Sequence, residues 1–223
     1  MAVMKELSQG DIRTIKNCRL FSGLEDKSLD EALCLYSAEL RVLPKGAVIA
    51  SEGGSLQKFG LVLSGAVCVS SGDIDGNTVI MNAVQTGGTF GESLCWLKAG
   101  EIPVRITATE DSRVLFLSPH GLACNGDNVC SDLFRRFVSM LAERTLKMND
   151  RIQILSRKTL REKLLILFAQ YSESGRNRSF ILPFDRESLA VYLGVNRTAL
   201  SRELSAMKRD GLIDYYKNSF KLL

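Results

Sequence analysis

The spacing of apolar residues changes character several times along the 223 residues of this chain. From Asp11 to Leu43, Ile12, Ile15, Leu20, Phe21, Leu24, Leu29 and Leu33 recur at roughly helical intervals, which predicts short helices. Pro44-Lys45-Gly46 marks a turn. From Ala47 to Leu117 the apolar residues come instead in short runs broken by glycine, such as FGLVLSGAVCV and VRITATEDSRVLFL. Val67 and Val69 alternate with Ala66, Cys68 and Ser70, so the larger side chains share one strand face. Short strands with glycine corners and no βαβ alternation predict an antiparallel barrel or jelly roll.

Pro119 to Cys130 is a connecting segment or a broken helix. Beyond it, Phe134, Val138, Leu141, Thr145, Met148, Ile152 and Leu155 step alternately by four and three residues. That is an a/d seam with one polar position, Thr145, and it predicts a long helix paired in parallel with a second copy. Leu160–Tyr171 is a further helix, and 172–179 a polar loop.

The last forty residues carry the most information. Asp185 is an N-cap before Arg186–Leu193, which Gly194 stops; Asn196 then caps a helix from Arg197 to Asp210. At about 100° per residue, Leu200, Leu204 and Met207 fall on one narrow arc. Arg197, Thr198, Ser201, Arg202, Ser205, Lys208 and Arg209 share a separate arc. Two short helices joined at a glycine, the second rich in donors, predict a helix-turn-helix. Ile213–Tyr216 and Ser219–Leu222 around Lys217-Asn218 form a hairpin, so the module is winged.

The distribution of charge supports this. Residues 156–223 hold thirteen Lys and Arg against seven Asp and Glu, a net +6, while the preceding residues are net −2. The positive charge lies where phosphate contacts need it, and double-stranded DNA is the expected partner. A solvated helical hairpin and a ligand-binding regulatory module without DNA are the alternatives. Six cysteines at 18, 34, 68, 95, 124 and 130 show no metal-binding spacing, and no metal or cofactor is expected. The chain carries neither an apolar leader nor a membrane-length run, so a cytoplasmic protein with reduced thiols is expected and no membrane partner. A single histidine, His120, excludes a metal-dependent cupin, and no P-loop, G-x-S-x-G or H-E-x-x-H motif points to an enzyme.

The order of parts is recognisable. LFSGLEDKSL near the start, Gly46, Gly65, Gly76 and Gly88 in the β region, FGES at Phe90–Ser93, and above all LAVYLGVNRTALSREL at Leu189–Leu204 resemble the cyclic-AMP receptor protein/FNR family of bacterial transcription regulators. The resemblance implies an α+β chain. Residues 1–130 would form a β-roll sensor domain of the cyclic-nucleotide-binding type, 131–156 a dimerisation helix and 157–223 the winged helix-turn-helix. It implies a homodimer on a near-palindromic site, with RNA polymerase as a further partner. Arg202 and Ser201 match base-reading positions. Thr198 stands where better-known members carry a glutamate that accepts from cytosine, so the half-site is expected to differ. Arg197 and Lys208 are assigned to phosphates, and Ser205 completes the DNA-binding set.

At the sensor end the family pattern fails. Cyclic-nucleotide binders place Glu after Gly to take the ribose, and an Arg-Ser pair further on to take the cyclic phosphate. Gly91-Glu92 is present, but Ile102-Pro103 stands in place of the Arg-Ser pair. A desolvated phosphate without its arginine loses its strongest contact, which argues against cyclic AMP. The candidate effector pocket is Gly91, Glu92, Ser93 and Arg105, for an unidentified small molecule. Glu92 as a corner-stabilising carboxylate and Arg105 as a solvated strand residue stand beside that reading. An iron–sulfur cluster or haem lacks its ligands. A redox pair of Cys124 and Cys130 is the remaining alternative.

Overall fold

The computed structural model describes residues 3–72, 78–97, 100–122, 128–172 and 178–223. Gly76 and Cys124 lie outside them. The chain forms two compact units, Met1–Glu143 and Arg144–Leu223, with the division falling inside one long helix.

The first unit opens with α1 (Gln9–Asn17) and α2 (Asp26–Leu35). A reciprocal capping box starts α1: the Ser8 hydroxyl accepts from Asp11 N at 3.1 Å, and the Asp11 carboxylate accepts from Ser8 N at 2.8 Å. Eight strands follow: β1 (Glu39–Leu43), β2 (Val48–Ala50), β3 (Phe59–Ser64), β4 (Ala66–Gly72), β5 (Thr78–Gln85) and β6 (Thr89–Phe90), then, after α3 (Glu92–Trp96), β7 (Arg105–Ala108) and β8 (Ser112–Leu117). They make two antiparallel sheets, β1-β8-β3-β6 and β2-β7-β4-β5, the jelly-roll arrangement predicted from the glycine-punctuated runs. Glu39–Leu43 corrects the expectation of helix up to Leu43. The chain turns at Ser37, whose φ is 45°, and Leu40 and Val42 register against Leu115 and Arg113 of β8.

β3 is buried along almost its whole length because a core lies on each side. Phe59, Leu61 and Leu63 pack with Ile15, Phe21, Leu29 and Tyr36 of the helical layer, while Val62 joins Phe90, Ile106, Val114 and Phe116 inside the roll. A strand covered on both faces has no reason to alternate, which explains the continuous run FGLVL.

A 3-10 turn at Pro119–Leu122 leads to α4 (Asn128–Leu155), which spans the division. In the second unit α5 (Leu160–Tyr171) precedes β9 (Ser179–Ile181), α6 (Arg186–Leu193), α7 (Arg197–Arg209), β10 (Ile213–Tyr216) and β11 (Ser219–Leu222). The hairpin is joined by β9, with Phe220 opposite Phe180, giving a three-stranded sheet where only two strands were expected. Phe168 of α5 closes over this sheet, 4.8 Å from the Phe220 ring and 5.5 Å from Phe180.

Candidate functional site

The two helices of the winged module begin and end as their caps dictate. Asp185 accepts from Ser188 N at 2.7 Å and Asn196 from Ala199 N at 2.7 Å. Between them Gly194 sits at φ 68°, a left-handed turn that few other residues adopt at no cost. Leu200, Leu204 and Met207 are fully buried with Leu189, Leu193 and Ile213. Burying each is worth roughly 1.5–3 kcal/mol, and together they hold α7 with its other face outward. Arg197, Thr198, Ser201, Arg202, Ser205, Lys208 and Arg209 are all exposed.

Their chemical states differ. Arg202 makes no hydrogen bond or ion pair among the described residues, whereas Lys208 is held by Asp214 at 2.6 Å and lies 5.5 Å over the Tyr215 ring. The Asp214 carboxylate raises the Lys208 ammonium pKa, and Lys208 in turn lowers that of Asp214. The Ser205 hydroxyl donates to Ser201 O at 2.9 Å. Two acidic groups on or just beyond α7 are occupied: Arg161 of α5 bonds Glu203 at 2.6 Å and Asp210 at 2.7 Å. This neutralises carboxylates that would otherwise repel phosphate. A groove of about 610 Å³ is lined by the start of α6, Arg197 and the wing turn at Lys217 and Asn218. Lys217, with φ 53°, belongs to this groove. The sequence places it only in a turn, because nothing local brings it beside Arg197.

On α4 the seam residues are mostly outward: Phe134, Val138, Met148, Ile152 and Leu155 are exposed, at 39–61% for all but Leu155 at 38%, and Thr145 is exposed as well. Leu141 differs, being half-buried against the core of the first unit. Leu133 and Phe137 turn into that core, and Ile154 into the core of the second unit. α4 therefore carries two apolar faces, one of them uncovered among the described residues.

The roll end is of another kind. Gly91, at φ 81°, opens α3, and a Cβ there would come within 2.4 Å of Leu56 Cδ2. Glu92 is buried and Ser93 exposed. Burial raises the pKa of the Cys18 thiol. Arg105 is exposed between the buried Val104 and Ile106, on the outward face of β7, so it does not join Glu92.

The positions in question for a cyclic phosphate are Ile102 and Pro103. Ile102 is pinned by both backbone groups, donating to Gly54 O and accepting from Gly53 N at 2.9 Å each, and its side chain is 1% exposed in the roll core. The shallow cavity of about 350 Å³ beside it is lined by Glu52 and Glu101 and, among the described residues, by no cation. Two carboxylates and a buried isoleucine do not fit a phosphate monoanion. No metal-binding cluster of His, Cys, Asp or Glu occurs among the described residues, and no described helix is long and apolar enough to cross a membrane.

Cys18, Cys34, Cys68 and Cys95 are free, but Cys130, buried at the start of α4, is disulfide-bonded. This corrects the expectation of reduced thiols throughout.

Residues 40–123 match the cyclic nucleotide-binding domain family, and residues 160–223 the Crp-like helix-turn-helix domain family. The transcriptional activator protein FnrL of Cereibacter sphaeroides is 35% identical over 88 residues, 35% of this chain and 36% of that protein. The chain thus matches little more than a third of that relative's length. Among solved structures, the catabolite activator protein of Thermus thermophilus is similar at a TM-score of 0.52 and 22% identity, covering 92% of this chain and 93% of that one. FixK2 of Bradyrhizobium japonicum is similar at 0.51 and 23% identity, covering 83% and 92%. At these identities the two structures speak for the fold.

Proposed function

The chain belongs to the Crp/Fnr family of transcription regulators, and on that premise we propose that it is a sequence-specific DNA-binding regulator acting as a homodimer on a near-palindromic site. The observation that carries this is the outer face of α7. It presents Arg202, unpaired among the described residues, beside Arg197, Thr198 and Ser201, while Leu200, Leu204 and Met207 lock the opposite face. Residues 157–223 read DNA, 131–156 pair two copies through the seam, and 1–130 are the regulatory part. A cytoplasmic location and contact with RNA polymerase follow from the same reading.

Arg202 takes guanine O6 and N7 as a bidentate donor, and Arg197 and Lys217 hold phosphates. Lys208 contributes less, since Asp214 already neutralises it. Two copies joined along the 4-3 seam bring two α7 helices to successive major grooves. The effector of the roll is not a cyclic nucleotide, given Ile102 and the two carboxylates beside it. Titration calorimetry with cyclic AMP and cyclic GMP checks this, and saturable binding would overturn it.

The main test is Arg202→Ala with the full chain in a gel-shift assay. Preference for a selected site over random duplex should collapse by roughly 5- to 150-fold, the value of one bidentate base contact, while weak salt-sensitive binding persists. Unchanged specific binding would remove α7 as the reading element.

A second reading is favoured by the disulfide at Cys130. In it, Cys124 and Cys130 are a thiol switch: both thiols lose a proton and together two electrons to a peroxide, which leaves as water, and the bond forms ahead of the seam at Phe134. DNA binding measured with dithiothreitol and with peroxide should then differ for the wild type and not for a Cys124→Ser/Cys130→Ser variant. An identical response in both proteins rejects it.

A further inference from the structure

We propose that Thr198 selects a thymine in each half-site; the proposal rests on the reading of α7 as the DNA-reading helix and adds the base that it specifies. The starting point is what α7 lacks. Its one acidic residue, Glu203, is taken up by Arg161 at 2.6 Å, and Asp210 just beyond the helix is held by the same guanidinium at 2.7 Å. No carboxylate is left on the exposed face to accept from the N4 amine of cytosine, which is how an acidic side chain specifies that base.

The exposed face offers an unpaired guanidinium and hydroxyls, and the hydroxyls are not equivalent. Ser205 spends its hydrogen on Ser201 O at 2.9 Å. Thr198 and Ser201 make no side-chain hydrogen bond among the described residues, so both can donate outward. Thr198 is the second residue of α7, in the turn whose residues reach base edges when a recognition helix enters the groove. Its i−4 carbonyl belongs to Gly194, before the helix begins, so the hydroxyl is not drawn back along the helix as that of Ser205 is.

Thymine shows two features in the major groove, the O4 acceptor and the C5 methyl. Threonine carries a matching pair on one carbon, a hydroxyl donor and a methyl group, with χ1 restricted by β-branching. Guanine and adenine offer acceptors with no methyl, and cytosine offers a donor. Ser201 has no methyl and cannot make this distinction.

The experiment is selection of bound duplexes from a random pool by the full chain and by Thr198→Glu. The wild-type motif should hold a thymine at one position of each half-site, and Thr198→Glu should replace it with cytosine while the other positions stay. On the wild-type site, deoxyuridine in place of that thymine removes only the methyl and should weaken binding about fourfold, the worth of one buried methyl group. Thr198→Ser should lose that sensitivity. The same motif from wild type and Thr198→Glu, or equal binding of thymine and deoxyuridine sites, would overturn the proposal. The deoxyuridine arm needs no variant and so stands if Thr198→Glu misfolds. Absence of any enriched motif from the wild type is a different failure: it removes α7 as a DNA reader, and the base assignment falls with it.

Discussion

Ile102 in the roll and Arg202 on α7 are in opposite condition. Ile102 is closed in by the roll core, with both its backbone groups bonded and two glutamates lining the nearest cavity. Arg202 is exposed and has no partner among the described residues, and Glu203, Asp210 and Asp214 are bonded to Arg161 and Lys208. Charge separates them: a desolvated anion needs a partner cation, and among the described residues the cavity beside Ile102 is lined by carboxylates.

The sharpest way to break this contrast is Ile102→Arg. A guanidinium in place of a side chain that is 1% exposed in the roll core should destabilise the first unit by about 1–3 kcal/mol through overpacking, even with Glu52 and Glu101 beside it, seen as a lowered first transition in thermal unfolding. Cyclic AMP should not restore it. Recovery by the nucleotide would mean that a phosphate site persists there. Leu204→Ala attacks the other region from behind. It leaves the exposed face of α7 chemically intact but should cost the second unit about 2–4 kcal/mol in urea unfolding, and weaken DNA binding only through the unfolded fraction.

Asp11 gives a smaller, pH-dependent effect confined to the first unit. Burial pushes its carboxyl pKa up, but Arg113 at 2.7 Å and the Ser8 backbone and hydroxyl outweigh this and hold it below the ordinary aspartate value. The folded state thus favours the charged form. The stability from this pair is present above the unfolded-state pKa and is lost as pH falls through the lower folded value. Asp11→Asn should cost about 1–2 kcal/mol at neutral pH, since water screens the half-open Arg113 side, and should flatten the acid side of the stability curve. Ser205→Ala is the least consequential. Its hydroxyl already bonds Ser201 O, so DNA affinity in the gel shift should change less than about twofold, within the range of a substitution touching nothing essential.

Periodicity and caps carried the local half of this outcome. The 3.6-residue stripe of Leu200, Leu204 and Met207 appeared as three fully buried residues, and Asp185, Gly194 and Asn196 began and ended helices where their side chains permit. The jelly-roll strands followed from short runs broken by glycine. Glu39–Leu43 did not, because its strand state comes from pairing with β8 some seventy residues later. Ser179–Ile181 joined the wing sheet for the same reason, through its pairing with β11.

Side-chain chemistry was open to local reading only where the chain meets solvent. Residue types and spacing along α7 were enough to name the exposed set from Arg197 to Lys208, since a helix with one buried stripe must show its other side. Which members of that set are already engaged was decided by the folded chain: Lys208 by Asp214 and Ser205 by Ser201, while Glu203 next to Arg202 is held by Arg161 across forty-two positions. The roll end depended on the fold even more. The sequence placed Ile102 where an arginine was wanted, but its burial, the outward turn of Arg105 and the pair of glutamates beside it arise from β7 lying in a sheet over a closed core. Hydrophobic period is a property of neighbours along the chain. Ion pairing and pocket closure belong to residues that only folding brings together.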